Sequence, residues 1–156
     1  MQKITPFLWF EDQAEEAMNF YVATFRNAKA GNVTRYGDVG PGPKGSVMTA
    51  SFEFEGQQFT DLNGGPGFPF TQAISFVVSC QTQDEVDELW QRLSAGGETQ
   101  QCGWLKDRFG LSWQIVPVVL IELLSDPDPE KSRRVMQAML QMTKLDSAKL
   151  RQASEG

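Results

Sequence analysis

Cys102–Pro117, CGWLKDRFGLSWQIVP, alternates as a strand, a polar turn and a second strand. Trp104 and Leu105 lead in, Lys106-Asp107-Arg108 is polar, and Phe109-Gly110 makes the turn. Leu111 to Val116 then runs with Trp113 and Ile115 alternating against Ser112 and Gln114. A period of two with aromatic and β-branched residues marks a half-buried strand, and Pro117 suits its end. Phe52–Asn63, FEFEGQQFTDLN, has the same layout earlier in the chain, with Gly56, Phe59 and Leu62 at the spacing of Gly110, Trp113 and Val116.

The repeat extends outward from these two hairpins. Ile4–Phe10 predicts a strand, and Ala14–Phe25 a helix capped by Asp12, with Ala17, Phe20, Tyr21 and Thr24 or Phe25 on one face. Ala30–Tyr36 reads as a short strand, and Gly37–Gly45 as a Gly/Pro-rich loop before the first hairpin. The order then restarts. Ala73–Ser79 is a strand, and Gln83–Ala95 a helix whose Val86, Leu89, Trp90 and Leu93 repeat the spacing of Ala17, Phe20, Tyr21 and Thr24. Glu98–Trp104 is a weak strand leading into the second hairpin. Strand-helix-strand-strand-strand, twice, means two copies of one unit, each burying a face. The expected fold is α+β, with tandem βαβββ units at about 1–65 and 71–117 within a domain 1–125. A helical C-terminal extension follows at 126–156, starting with Asp128 as cap and Pro129 in the first turn. Val118–Leu124 is apolar, helical or extended. The Met-rich helix after Lys131 packs on its own sheet or meets a partner.

Composition narrows the function. The net charge of -6 argues against a nucleic-acid partner, which requires a basic surface. No apolar run of about 18 residues is present, and the N-terminus turns acidic too early for a signal peptide, so a cytoplasmic protein without a membrane span is expected. Two cysteines, Cys80 and Cys102, make no disulfide framework. The absence of histidine removes every imidazole-based triad and metal site. The loop Asn63–Phe68, NGGPGF, has no helix behind it to meet a phosphate, and reads as a linker between units.

The strings ITPFLWF, AEEAMNFY, SVMTASFEFEGQQFTDLNGGP, FTQAISFVVSC, DEVDELW, LSAGGETQQCGWLKDRFGLSWQIVP and MQAMLQMTKLD together resemble the PhnB-like family. Its members are commonly labelled 3-demethylubiquinone-9 3-methyltransferase-like. They belong to the vicinal-oxygen-chelate superfamily of glyoxalase I, bleomycin-resistance proteins and extradiol dioxygenases. The resemblance implies a cavity on the concave sheet face, with metal positions on the first and fourth strands of each unit. Carried over, these fall on Thr5 and Ala73, near Asp61, and on Gln114. The metal enzymes place His, Glu or Gln there. Thr, Ala, Asp and Gln make a poor divalent site, so no metal and no cofactor are expected. Alternation from Thr5 and Ala73 adds Phe7, Trp9, Ser75, Val77 and Ser112 to the lining. The expectation is a metal-independent small-molecule binder or enzyme, with a homodimer implied by the resemblance. The alternatives are the methyltransferase of the family label and a metal-dependent lyase or dioxygenase. Gln114 is either a structural amide or a polar ligand anchor.

Overall fold

The computed structural model describes residues 2–156, which divide into two compact units between Phe70 and Thr71. Each contains one four-stranded sheet.

In the first unit, β1 (Phe7–Phe10) is followed by α1 (Ala14–Thr24), β2 (Ala28–Arg35), β3 (Val47–Phe54) and β4 (Gln57–Asn63). The sheet order is β1-β4-β3-β2, with β1 parallel to β4 and the other neighbours antiparallel. The β3–β4 turn needs only Glu55 and Gly56, at φ 52° and 77°. Two successive positive φ values give the turn whose twist matches a hairpin, and glycine takes the second without steric cost. The helix lies against β3, burying Ala14, Ala17, Met18 and Tyr21. Tyr21 meets the Phe52 ring at 5.6 Å, and Phe25 stacks on Phe54 at 4.2 Å. Each such ring removed from water contributes roughly 2–3 kcal/mol. The start of α1 differs from expectation. Asp12 does not cap it. Asn63, at the end of β4, accepts the Ala14 N–H through Oδ1 at 2.8 Å and donates Nδ2 to the Val47 carbonyl at 3.1 Å. One side chain thus ties helix, fourth strand and third strand together.

The second unit repeats the order with β5 (Ser75–Cys80), α2 (Gln83–Ser94), β6 (Glu98–Thr99), β7 (Trp104–Lys106) and β8 (Ser112–Pro117), arranged β5-β8-β7-β6. Thr82 caps α2 by accepting the Glu85 N–H, while the Glu85 carboxylate accepts the Gln81 N–H. This is close to a capping box. Val86, Leu89 and Leu93 are buried, as are Leu105, Trp113 and Ile115 of the sheet. The β7–β8 connection is longer than the first hairpin's and is built around Asp107, only 2% exposed. Its Oδ1 accepts the N–H groups of Phe109 and Leu111 at 2.9 and 3.1 Å, and its Oδ2 accepts the Trp113 indole N–H at 2.9 Å.

The tail is helical throughout: α3 (Val118–Leu124), α4 (Pro129–Leu140) and α5 (Ser147–Glu155). Asp128 and Asp146 cap the last two, and Pro129 occupies the first turn. Leu120, Val135, Leu145 and Leu150 enclose a core with Val116 at the end of β8, and Met139 and Met142 pack beside it. This packing accounts for Met139 of α4 and for Met142, which lies past the end of the helix; Met136 is exposed.

Candidate functional site

Each sheet has one face covered by its own helix and one that this helix leaves open. In the first unit, Leu8, Ala50, Phe52, Phe59 and Asp61 share the α1 side by register. The open side takes the residues between them. Phe7, Thr60 and Ser51 form one row across β1, β4 and β3, and Trp9, Leu62 and Thr49 the next. Phe7 is 59% exposed. Toward β2 the open side dips into a groove of about 380 Å³, lined by Lys29, Asn32, Ser51, Glu53, Gln58 and Thr60 among others. Lys29 Nζ bonds Glu53 Oε1 at 2.8 Å across its rim, which holds the lysine above its ordinary pKa.

Three of the expected lining positions behave differently here. Thr5 is exposed and precedes β1, although the ladder reaches Pro6, whose carbonyl accepts the Thr60 N–H at 3.0 Å. Trp9 shares the open side, but the linker loop occupies it. Its Nε1–H donates to the Gly65 carbonyl at 2.8 Å, and the Phe68 ring meets it edge-on at 5.0 Å. Gly64 and Gly65 donate to the carbonyls of Phe10 and Glu11, so the NGGPGF loop is pinned to the end of β1. Asp61 is the clear correction. It pairs with Leu8 and Ala50 and is fully buried on the helix side, so it does not share a face with Phe7 and Trp9. Thr60, the residue before Asp61, holds the fourth-strand position on the open side.

The second unit brings its expected residues together. Ser75, Ser112, Lys106 and Glu98 form one row across β5, β8, β7 and β6. Val77, Gln114 and Trp104 form the row beside it. Gln114 Nε2 donates to Ser75 Oγ at 2.9 Å. This gives the amide a structural bond and leaves it half-buried at the centre of the open face. Val77 is 54% exposed, whereas Ser112 is fully buried and its Oγ has no hydrogen-bond partner. Lys106 and Trp104 were missed as face residues. Their alternation around Leu105 was the available signal, masked by the polar run Lys106-Asp107-Arg108.

The donors on these faces are hydroxyls, one central amide, two lysines and the flanking acids Glu53 and Glu98. First- and fourth-strand positions supply Phe7, Thr60, Ser75 and Gln114, without a carboxylate or thiolate. Among the described residues, no three Cys, Asp or Glu side chains converge as a metal site would need. The ligand set of the superfamily's metal does not fit this chain. Neither cysteine stands out as a nucleophile. Burial, with the Glu85 charge adding to it, pushes the Cys80 thiol up to about 12, so it stays protonated at neutral pH.

Residues 2–116 match the family described as 3-demethylubiquinone-9 3-methyltransferase. The chain belongs to that family. Among solved structures, the PhnB protein of Bacillus cereus is 38% identical, with a TM-score of 0.68 over 74% of this chain and 99% of that one. Protein PA1353 of Pseudomonas aeruginosa is 22% identical, with a TM-score of 0.63 over 75% and 98%. The fosfomycin resistance protein FosX of Listeria monocytogenes, in a complex with Mn(II) and sulfate, is 15% identical, with a TM-score of 0.51 over 75% and 91%. The last two likenesses concern the fold alone. No curated protein matches the chain. This PhnB-like protein has two successive units of βαβββ order. Among the described residues, no helix is long and apolar enough to cross a membrane.

Proposed function

We propose that this PhnB-like chain is a small-molecule-binding protein that holds its ligand on the open sheet face without a protein-bound metal. The observation that carries this reading is the makeup of that face. On the second unit, Val77 is exposed, Trp104 is half-buried, and the polar groups beside them are hydroxyls and an amide. Such a surface suits a flat or apolar molecule anchored by few polar groups. The proposed lining is Ser75, Val77 and Gln114 on the open face of the second unit, with Ser112 buried in the same row. On the first unit's own open face, Phe7 and Thr60 hold the corresponding first- and fourth-strand positions. The protein acts in the cytoplasm as a homodimer in this reading, and Ile121, Met136 and Leu140, exposed on α3 and α4, supply apolar surface for a mate. Calorimetric titration with a neutral bicyclic aromatic amide, with and without chelator, tests the binding claim. Saturable binding unaffected by chelator is the expected result; binding that requires added Mn(II) overturns it.

A second reading, methyl transfer, is favoured by the family description alone. It requires S-adenosylmethionine to bind. The NGGPGF loop, which carries no helix behind it, offers no phosphate- or nucleotide-type cradle. Calorimetry with S-adenosylmethionine separates the two readings: a stoichiometric heat would establish the methyltransferase in place of the binder.

A further inference from the structure

The open face of the second unit is more selective than an apolar platform. Ser75, Ser112 and Lys106 stand directly opposite one another on β5, β8 and β7. Each offers a proton and none has a proton acceptor on the protein. Ser75 Oγ already accepts from Gln114 Nε2, so its own hydrogen remains to be donated. Ser112 is fully buried and its Oγ is without a partner. Among the described residues, the ion pairs engage Lys29, Lys44, Lys144, Arg92 and Arg133, and Lys106 enters none of them. Glu98, exposed on β6, is the acid next to Lys106 by register, on the side away from Ser112. In the neighbouring row, Val77 and Trp104 flank Gln114, which puts two apolar walls about 10 Å apart across three strands. The two rows are separated by one repeat of the pleat, about 7 Å.

We propose that this face takes an aromatic monoanion, a carboxylate or phenolate on a flat ring. The ring lies over Gln114 between Val77 and Trp104, and the charged oxygen meets Ser75 and Lys106, the half-buried members of the row in which Ser112 is buried. The inference rests on the open-face reading above and names the ligand class for it. A neutral carbonyl would satisfy one serine but leave the ammonium unanswered. A hydroxyl hydrogen free to donate and a cation in one row match an oxyanion, whose hydrogen bonds are charge-assisted.

The test titrates the full chain with 1-naphthoate and with 1-naphthamide, following heat and tryptophan emission. The acid should bind at least about tenfold tighter than the amide at low salt, with the preference shrinking as salt rises. Lys106→Met should abolish the preference by weakening naphthoate far more than naphthamide, and Ser75→Ala should weaken naphthoate. Glu98→Gln should tighten naphthoate by removing the competing charge. Circular dichroism checks that each variant is folded, and Lys106→Met, at a half-exposed position, keeps the test decisive where Ser75→Ala does not fold. Equal affinity for acid and amide overturns the anion inference and leaves the small-molecule reading standing. Absence of heat and of any emission change with both probes overturns the open-face reading itself.

Discussion

Asp107→Asn is the substitution from which the second hairpin has most to lose. The carboxylate is 2% exposed and accepts three hydrogen bonds, two from the backbone of its own turn and one from the Trp113 indole. An amide of the same shape has one oxygen. With that oxygen kept on the Phe109 and Leu111 N–H groups, the NH₂ faces the indole N–H, donor against donor. Losing a charge-assisted bond costs roughly 1.5–3 kcal/mol, and stranding the buried indole N–H costs about 1–3 more. Because part of this is one event counted twice, about 2–4 kcal/mol is the expected loss. Urea unfolding followed by far-ultraviolet circular dichroism reads it as a lower midpoint at unchanged slope. The decisive comparison is the same substitution in a Trp113→Phe background. Phenylalanine carries no N–H, so the amide no longer meets a donor, and the cost of Asp107→Asn should fall by about 1–2 kcal/mol. Trp113→Phe alone will destabilise through the space it leaves, which the cycle subtracts. An Asp107→Asn cost below about 0.5 kcal/mol, or an identical cost in both backgrounds, would refute the claim that this side chain organises the hairpin around the indole.

Other perturbations test separate parts of the structure. Gly97→Ala should destabilise by about 2 kcal/mol or more, because its Cβ would overlap the Lys106 carbonyl oxygen and sit 2.7 Å from the Asp107 carbonyl carbon, both rigid backbone; a thermal midpoint within a degree of wild type would contradict this. Asn63→Ala removes the bonds from one side chain to Ala14 and Val47 and should cost about 1–2 kcal/mol, with helix α1 losing hydrogen-exchange protection before the rest of the unit. Native protein treated with iodoacetamide at pH 8 should be modified at Cys102 before Cys80, whose raised pKa keeps it a thiol; peptide mapping that finds Cys80 labelled first would contradict its burial. The same raised pKa predicts stability that is intact below about 9 and declines as pH rises toward 12, since the unfolded chain then ionises a thiol that the folded chain keeps protonated. Asp61→Asn should leave the affinity of any open-face ligand unchanged, since the side chain lies on the other face.

That last expectation shows where the sequence was legible and where it was not. The duplicated order of elements could be read from helical and strand periods alone, because matched apolar spacings leave a one-dimensional trace. Gln114, Ser75 and Ser112 could be placed on one face for the same reason. The first unit failed at one residue. Counting from Gly56 to Gly110, the repeat equates Phe59 with Trp113, so Thr60 matches Gln114 and Asp61 matches Ile115. Both Asp61 and Ile115 are fully buried on the helix side. A step of one residue in a strand moves a side chain to the other face. The resemblance carries the fourth-strand position only to the neighbourhood of Asp61, whereas the register of the repeat puts Thr60 in the place of Gln114. Asp107 was hidden for a different reason. Its partners lie two, four and six residues ahead, at distances no periodicity encodes, and an acid between two bases reads as a solvated turn until its three donors are seen. Lys106 was hidden by the same polar run. Its neighbours in sequence are turn-like, but its neighbours in space are Ser112 and Glu98. In both units the open face is therefore determined by pairing across strands, and what it can bind follows from which side chains the ladder sets side by side.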